Sequence, residues 1–334
     1  MKRREDIDQL RGLAILLMVM VHAAATWAPS EASTTSLFAI IIAGLGGLAA
    51  PLFVTVGGWV TVQSSWTLRK ALIRFIFLMM AQILVNACAP HRFEIFTPGI
   101  LSLFAVLYLF APFWLRLASN VATWHLSLLL IGILNWQLLP GDSTLTWNDR
   151  INTSGFNEAL VHMMITGTYP VFPWIFFSIL GAGLNIHTPS VRQQSIYVIC
   201  GLTVCIILLI HSMRDNITFA QPIGEATLTF FPANTPFLIG AFTGVLLIWI
   251  LLEHRQPYRS LNKLGKLSLT LYVVHFIPLY LGANLALTWG IAIPTVLLFT
   301  IVWWPISVYH QNKYPRYSLE YALQRLSRHR EEGA

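Results

Sequence analysis

The sequence predicts an all-α, polytopic integral membrane protein, a helical bundle of about ten transmembrane spans, and three observations predict it. The first is composition: of 334 residues, 56% are hydrophobic and only 10% charged, with a mean hydropathy of +0.65. Soluble domains carry roughly 25% charged residues, so a water-soluble globule is excluded. The second is length: about twenty apolar residues cross a bilayer as a helix, and such segments fall near 10–28, 37–62, 72–89, 98–117, 121–139, 169–187, 193–213, 234–252, 265–283 and 290–310. The third is charge placement. An even number of spans puts both termini on one side, and with the N-terminus inside, all Lys and Arg except Arg92, Arg150 and Arg214 lie on inner segments. That bias predicts N-in and C-in. Glu31, Glu94, Asp142, Asp149, Glu158, Asp215 and Glu225 then face outward. A net charge of +7 suits a nucleic-acid binder in other settings, but here the basic residues flank apolar runs. That is the signature of topology, so the expected partner is membrane lipid and not nucleic acid. Residues 1–313 read as one transmembrane domain and 314–334 as a basic cytoplasmic tail, in a multi-pass protein of the plasma or inner membrane.

The first span opens on Ile7-Asp8-Gln9-Leu10-Arg11-Gly12 and carries His22. Eleven residues at about 100° each return to within about 20° of the start and, at about 1.5 Å per residue, cover about 16 Å. With Arg11 at the inner edge, His22 sits near mid-bilayer on the same face. An ionisable side chain at that depth marks a functional site, although a histidine hydrogen-bonded inside a bundle satisfies the same spacing. Asp8 and Arg11, three apart, can pair on the helix, anchoring its depth or organising a site. A basic start followed by Ala23-Ala24-Ala25 also resembles a cleavable leader. Against that, Glu5, Asp6 and Asp8 dilute the basic region and cleavage would upset the parity of spans, so the segment is expected to remain.

The second span holds Gly44, Gly46, Gly47, Gly57 and Gly58, which suit close helix packing or a passage for a slender acyl chain. Arg69, Lys70 and Arg74 gather at its inner end and could meet the phosphates of a nucleotide-like donor; positive-inside anchoring accounts for them equally well. The longest outer loop, roughly 140–168, is polar and holds Asn148, Arg150, Asn157 and His162, as a functional loop or a solvated connector. Tyr169-Pro170-Val171-Phe172-Pro173-Trp174 opens the sixth span, its aromatics suited to the interface and its prolines to a turn. In the ninth span Lys266 marks the inner end, and His275, nine residues on, lies about 13 Å deep, close to the depth of His22. Two histidines at one depth can share a cavity, one as general base and the other orienting it or stabilising an oxyanion; packing against Tyr272 is the structural alternative. The tail interleaves Tyr317, Leu319, Tyr321, Leu323 and Leu326 with basic residues, as an interfacial helix or a solvated end.

Histidine suits acyl transfer, because an ordinary pKa near 6.5 lets it take a proton from an attacking amine or hydroxyl and return it to a leaving thiolate. The chain has no Gly-x-Ser-x-Gly elbow, no His-Glu-x-x-His and no phosphate-binding Gly-rich loop followed by Lys-Ser/Thr. Direct transfer with histidine as base is the simpler scheme, and a transient acyl-histidine stays open. Cys88, Cys200 and Cys205 fit neither a metal spacing nor a disulfide framework, so no metal is expected.

Several segments together resemble the transmembrane acyltransferase superfamily, which includes the acyltransferase-3 proteins and the heparan-α-glucosaminide N-acetyltransferase group. Ile7-Asp8-x-x-Arg11-Gly12 through His22 is similar to that superfamily's first helix, with its Arg-x10-His pattern. Pro51-Leu52-Phe53-Val54-Thr55-Val56-Gly57-Gly58, Pro98-Gly99-Ile100-Leu101 and Phe172-Pro173-Trp174 resemble later signatures of the heparan group. Gly265-Lys266-Leu267-Ser268-Leu269-Thr270-Leu271-Tyr272 with His275 is similar to its near-terminal motif. The resemblance covers roughly residues 4–283. It implies transfer of an acetyl or other short acyl group from cytoplasmic acetyl-CoA, or another coenzyme A thioester, to an amine or hydroxyl of an extracytoplasmic glycan or glycolipid. Arg11 and His22 carry over as the Arg-x10-His pair. Beside the resemblance, the reading of the residues themselves sets Asp8 in support and Arg69, Lys70, Arg74 and Lys266 toward the donor. The loop Thr26–Ser33 has no histidine, unlike the animal heparan enzyme, which favours His22 as the working residue and departs from a heparan-like acceptor. The alternative class is a secondary transporter of a small metabolite or proton with His22 and His275 as relays; the inverted repeats that would support it are not found. A structural or assembly protein would tolerate loss of both histidines. A homo-oligomer is compatible with all of these readings.

Overall fold

A computed structural model describes residues 4–29, 36–138, 144–253 and 255–328. Lys2, Arg3, Glu31, Asp142 and Arg330, invoked above for charge placement, lie outside the described residues, as do Ser30–Ser33 of the first outer loop. Among the described residues, seven helices are long and apolar enough to cross a membrane, and three bent helix pairs raise the number to ten if each pair is one span. The protein is an all-α, multi-pass membrane protein, its strand content a two-residue parallel pair, β1 (Ala220–Gln221) with β2 (Leu228–Thr229).

The chain divides into two compact units. The first gathers Met1–Phe53, Ile83–Arg92 and Leu252–Ala334. Its centre is α1 (Glu5–Trp27), whose first turn carries Glu5, Asp6 and Asp8, acids that favour the positive end of the helix dipole. Around it lie α2 (Leu37–Gly47), α13 (Arg259–Gly265), α14 (Ser268–Val274), α15 (Phe276–Leu281) and α16 (Trp289–Lys313). Glycine sets the approach of α1 and α13. A Cβ on Gly265 would overlap the carbonyl oxygen of Asp8, and one on Gly12 the carbonyl oxygen of Leu261, so the two backbones touch. Gln9 Oε1 accepts the Tyr258 N–H at 2.9 Å, and Asn262 Nδ2 donates to Glu5 Oε2 at 3.2 Å. At the other end of α1, Trp27 Nε1 donates to the Gly282 carbonyl at 2.9 Å. Gly46 of α2 seats against the Val21 side chain in the same way.

The second unit holds Val54–Gln82 and Phe93–Leu251. Its core helix is α10 (Val171–His187), nearly all of which is buried from Pro173 to Leu184. Gly58 of α3 (Ala49–Gln63) meets the Ser178 backbone, Gly181 meets the Thr55 carbonyl, and Gly57 meets the Phe104 ring. The small residues of the second span therefore serve close packing at these positions. Trp124 of α7 (Val121–Leu138) donates from Nε1 to the Ile179 carbonyl at 3.1 Å and lies over Gly183.

Three predicted spans are not straight. The ninth breaks between Gly265 and Ser268, with a 63° bend between Arg259–Gly265 and Ser268–Leu281; the fourth bends by 74° between Ile100–Leu109 and Ala111–Ala118. The sixth is preceded by Phe156–Thr166 at 48°. That last segment lies in the polar stretch over 140–168, read above as a functional loop or a solvated connector, and its described residues are not a simple solvated connector. Its described residues form α8 (Trp147–Ile151), α9 (Phe156–Val161) and a π turn, and they bury Arg150 completely and His162 to 5% exposure. Arg150 Nη1 donates to the Thr166 carbonyl at 2.9 Å, and the His162 ring bonds Thr166 Oγ1 and the Asn152 carbonyl. Polar side chains close this segment on itself, which its hydrophilic composition hides. The tail also departs from a free end: α17 (Leu319–Arg328) is packed on α14.

Replacing Gly265 by Ala should cost about 1–3 kcal/mol, the range for overpacking where backbone cannot retreat. Gly44→Ala, with nothing within 4 Å of the added methyl, should cost nothing. Thermal unfolding of the two detergent-solubilised variants separates them, and equal melting temperatures would refute the close approach of α1 and α13.

Candidate active site

The first unit brings His22 and His275 together. His22 projects from the middle of α1, and His275 stands at the junction of α14 and α15. His22 Nδ1 and His275 Nε2 lie 2.9 Å apart, with ring planes 7° from parallel. Phe276 packs on both, its centroid 4.8 Å from His22 and 4.2 Å from His275. His275 is wholly buried, whereas His22 keeps part of its surface open. The 63° bend falls at Lys266, the residue from which the depth of His275 is counted, and His275 lies on the arm beyond it. The rings meet because α13 touches α1 and relaunches as α14 beside it.

The hydrogen bonds settle which nitrogen carries which proton. His275 Nδ1 lies 2.9 Å from the Leu271 carbonyl oxygen, and a carbonyl only accepts, so a neutral His275 has its proton on Nδ1. Its Nε2 then offers a lone pair and accepts from His22 Nδ1–H. His22 Nε2 is left with a free lone pair on the side of the ring away from His275. The arrangement can do one thing directly: accept a proton at His22 Nε2.

The strut under His275 comes from the tail. α14 has only seven residues, and Leu267 before it has no side chain able to cap. Glu320 of α17 does so instead, accepting from Leu269 N at 2.6 Å, Thr270 N at 3.2 Å and Thr270 Oγ1 at 2.6 Å. Thr270 Oγ1 in turn accepts from Leu319 N at 2.9 Å. A carboxylate on free helix N–H groups is a favourable cap. The sequence offers no local sign of it, since Glu320 lies fifty residues from the helix it caps.

The other expected site residues are placed as follows. Arg11 and Asp8 face each other at 3.8 Å, an ion pair too long for a hydrogen bond, with Arg11 24% exposed and Asp8 nearly closed off. Arg11 lies eleven residues, about 16 Å, along α1 from His22, out of reach of its ring. Lys266 follows α13 and is partly exposed. Arg69, Lys70 and Arg74 are in the second unit on α4 (Leu68–Cys88), Lys70 donating to Ser65 Oγ at 3.1 Å and Arg74 lying over the Tyr108 ring at 5.2 Å. Arg92, not expected in the site, stands one turn beyond His22, with His91 next to it in the chain. Arg92 Nη2 donates to the Ala25 carbonyl and lies 3.4 Å from Thr26 Oγ1, and the His91 ring stacks on Tyr280 at 5.6 Å. Arg92 had a signal in the sequence, as one of three basic residues that break the charge asymmetry.

Two family models match the chain. One, described as heparan-alpha-glucosaminide N-acetyltransferase, catalytic, covers residues 3–196; the other, an acyltransferase domain, covers residues 100–310. The chain belongs to the superfamily of acyltransferase-3 and heparan-α-glucosaminide N-acetyltransferase-like membrane proteins. No curated protein matches it. Within this membrane acyltransferase the two matches divide the histidines, His22 falling in the first and His275 in the second, and the fold joins them in one hydrogen bond.

Glu320→Ala should lower the stability of the acyltransferase by about 1–2 kcal/mol, the range for losing a helix cap, with Glu320→Gln in between because its amide oxygen still accepts. A melting temperature unchanged in both variants would show that the tail does not brace α14.

Proposed function

We propose that this acyltransferase moves an acetyl or other short acyl group from cytoplasmic acetyl-CoA, or another coenzyme A thioester, to an amine or hydroxyl of an extracytoplasmic glycan or glycolipid. His22 Nε2 is the general base in this reading. The observation that carries it is the ordered chain of hydrogen bonds from His22 Nδ1–H through His275 to the Leu271 carbonyl, which leaves a partly exposed imidazole with one free lone pair. In the reaction the acceptor N or O attacks the thioester carbonyl as His22 Nε2 takes its proton. The tetrahedral intermediate then collapses, the C–S bond breaks, and the proton passes from His22 to the departing sulfur as the free thiol forms. Atoms and charge balance with no other reactant.

His275 is a positioning residue here. Its Nδ1–H is committed to Leu271, so it has no donor for an oxyanion, but its Nε2 holds the His22 ring and strengthens its bond as His22 becomes an imidazolium. Arg11, held by Asp8, positions the donor rather than His22. With N-in orientation Arg11 stands at the cytoplasmic end, and a donor lying along α1 has its charged end near Arg11 and its thioester by His22. Lys266, in the same unit, supplies a cation for its phosphates.

Purified protein should hydrolyse acetyl-CoA slowly or transfer its acyl group, and His22→Ala should lower the rate by about 10²–10⁴-fold, the range for a general base, at an unchanged melting temperature. His275→Ala should reduce kcat and leave KM for acetyl-CoA in place. Undiminished turnover in His22→Ala refutes the assignment.

A further inference from the structure

Arg92 is a half-buried cation at the His22 end of the first unit, and its bonds are few. Among the described residues Nη2 alone is engaged, by the Ala25 carbonyl and Thr26 Oγ1, while Thr26 Oγ1 itself donates to the His22 carbonyl at 2.8 Å. Among the described residues no carboxylate reaches the guanidinium, and its Nε–H and Nη1–H have no acceptor. A guanidinium carries five donors in a planar fork suited to a carboxylate or phosphate, so three of the five are unspent. Burial lowers the Arg92 pKa from its ordinary value, the expected strain of a cation without a counter-ion. Its attachment to Ala25 and Thr26 is one helical turn, about 5.4 Å, beyond His22. Beside it His91 lies against Tyr280, with planes 27° apart, and about half of Tyr280 is exposed. Burial, and then the charge of Arg92, hold the His91 imidazole below its ordinary pKa, which leaves it neutral at pH 7. The end of α15, which carries Tyr280, is tied to α1 by the bond from Trp27 to the Gly282 carbonyl. A cation with an open fork, one turn from a general base and beside an exposed aromatic face, is a recognition site for an anion carried on a ring.

We infer that Arg92, with the His91–Tyr280 face, is the acceptor subsite, and that the acceptor is an anionic sugar whose phosphate or carboxylate pairs with Arg92 while its amine or hydroxyl reaches His22. This rests on the acyl-transfer reading above and names the acceptor class that reading left open. The anion has two sources, the phosphate of a glycolipid or the carboxylate of a uronate.

Equilibrium binding to the detergent-solubilised full chain, measured by calorimetry without donor, tests it with three probes: methyl glucoside, glucose 6-phosphate and methyl glucuronide. At least one anionic probe should bind about tenfold tighter than methyl glucoside, the scale of a charge-assisted pair, and the better of the two identifies the source. R92Q should erase the preference. R92K, which keeps the charge but not the fork, should keep a reduced preference, and it decides the matter if R92Q does not fold. Equal binding of all three probes by the wild type, or an undiminished preference in either variant, overturns the proposal. Because no turnover is read, the two readings fail separately: anion preference with active His22→Ala sinks the mechanism alone, and lost transfer in His22→Ala without anion preference sinks the subsite alone.

Discussion

The contact between the backbones of α1 and α13 is the constraint on which the rest of the first unit depends. Two glycines permit it, Gly12 against the Leu261 carbonyl and Gly265 against the Asp8 carbonyl. Helices that touch without intervening side chains gain dense packing and short polar contacts, which matter most where hydrocarbon gives no hydrophobic drive to associate. The polar bonds of Gln9 and Asn262 secure the same seam. From there the chain bends by 63° and restarts as α14, so the position of His275 is inherited from Gly265. A hydrogen bond of 2.9 Å between two rings on different helices has little slack. A seam loosened by a methyl group would separate them.

The histidine pair also answers a problem of medium. An unpaired polar group in a low-dielectric interior is costly, and an unpaired charge more so. Two neutral imidazoles bonded in series to one carbonyl satisfy each other without any ion to desolvate. Leu271 can serve as the terminus because its oxygen has two lone pairs, accepting both the His275 backbone N–H at 3.1 Å and the side-chain Nδ1–H. The chain has a direction, and the direction leaves His22 Nε2 at its end, on the less buried of the two residues. Glu320 steadies the far end of α14, so a tail that reads as a separate basic appendix is part of the scaffold of the site.

The two family matches overlap only over residues 100–196, and each taken alone contains half of the histidine pair. The bond between the halves is made inside the first unit, which is itself assembled from the two ends of the chain and a short segment ending at Arg92. That segment carries the Arg92 guanidinium, bound one turn beyond His22. Bringing the ends together around α1 gathers His22, His275 and Arg92 into one unit, while the second unit keeps its own core around α10.

By itself the sequence determined the class of the protein: composition excludes a soluble globule, and segment length marks the spans, because a bilayer imposes apolarity over a fixed length whatever the neighbours are. It also marked Arg11, Asp8, His22 and His275, since ionisable residues stand out against an apolar background. It did not reveal the three bends, the closed polar segment around Arg150, the cap from Glu320 or the setting of Arg92. The cap from Glu320 and the setting of Arg92 depend on partners distant in the chain, and periodicity carries no information about which helix a face meets. The opening signature from Asp8 to His22 located an ionisable ring on one helix. Only the tertiary structure decided which of its nitrogens is free, because that rests on a carbonyl two hundred and more residues away, delivered by a contact between two glycines.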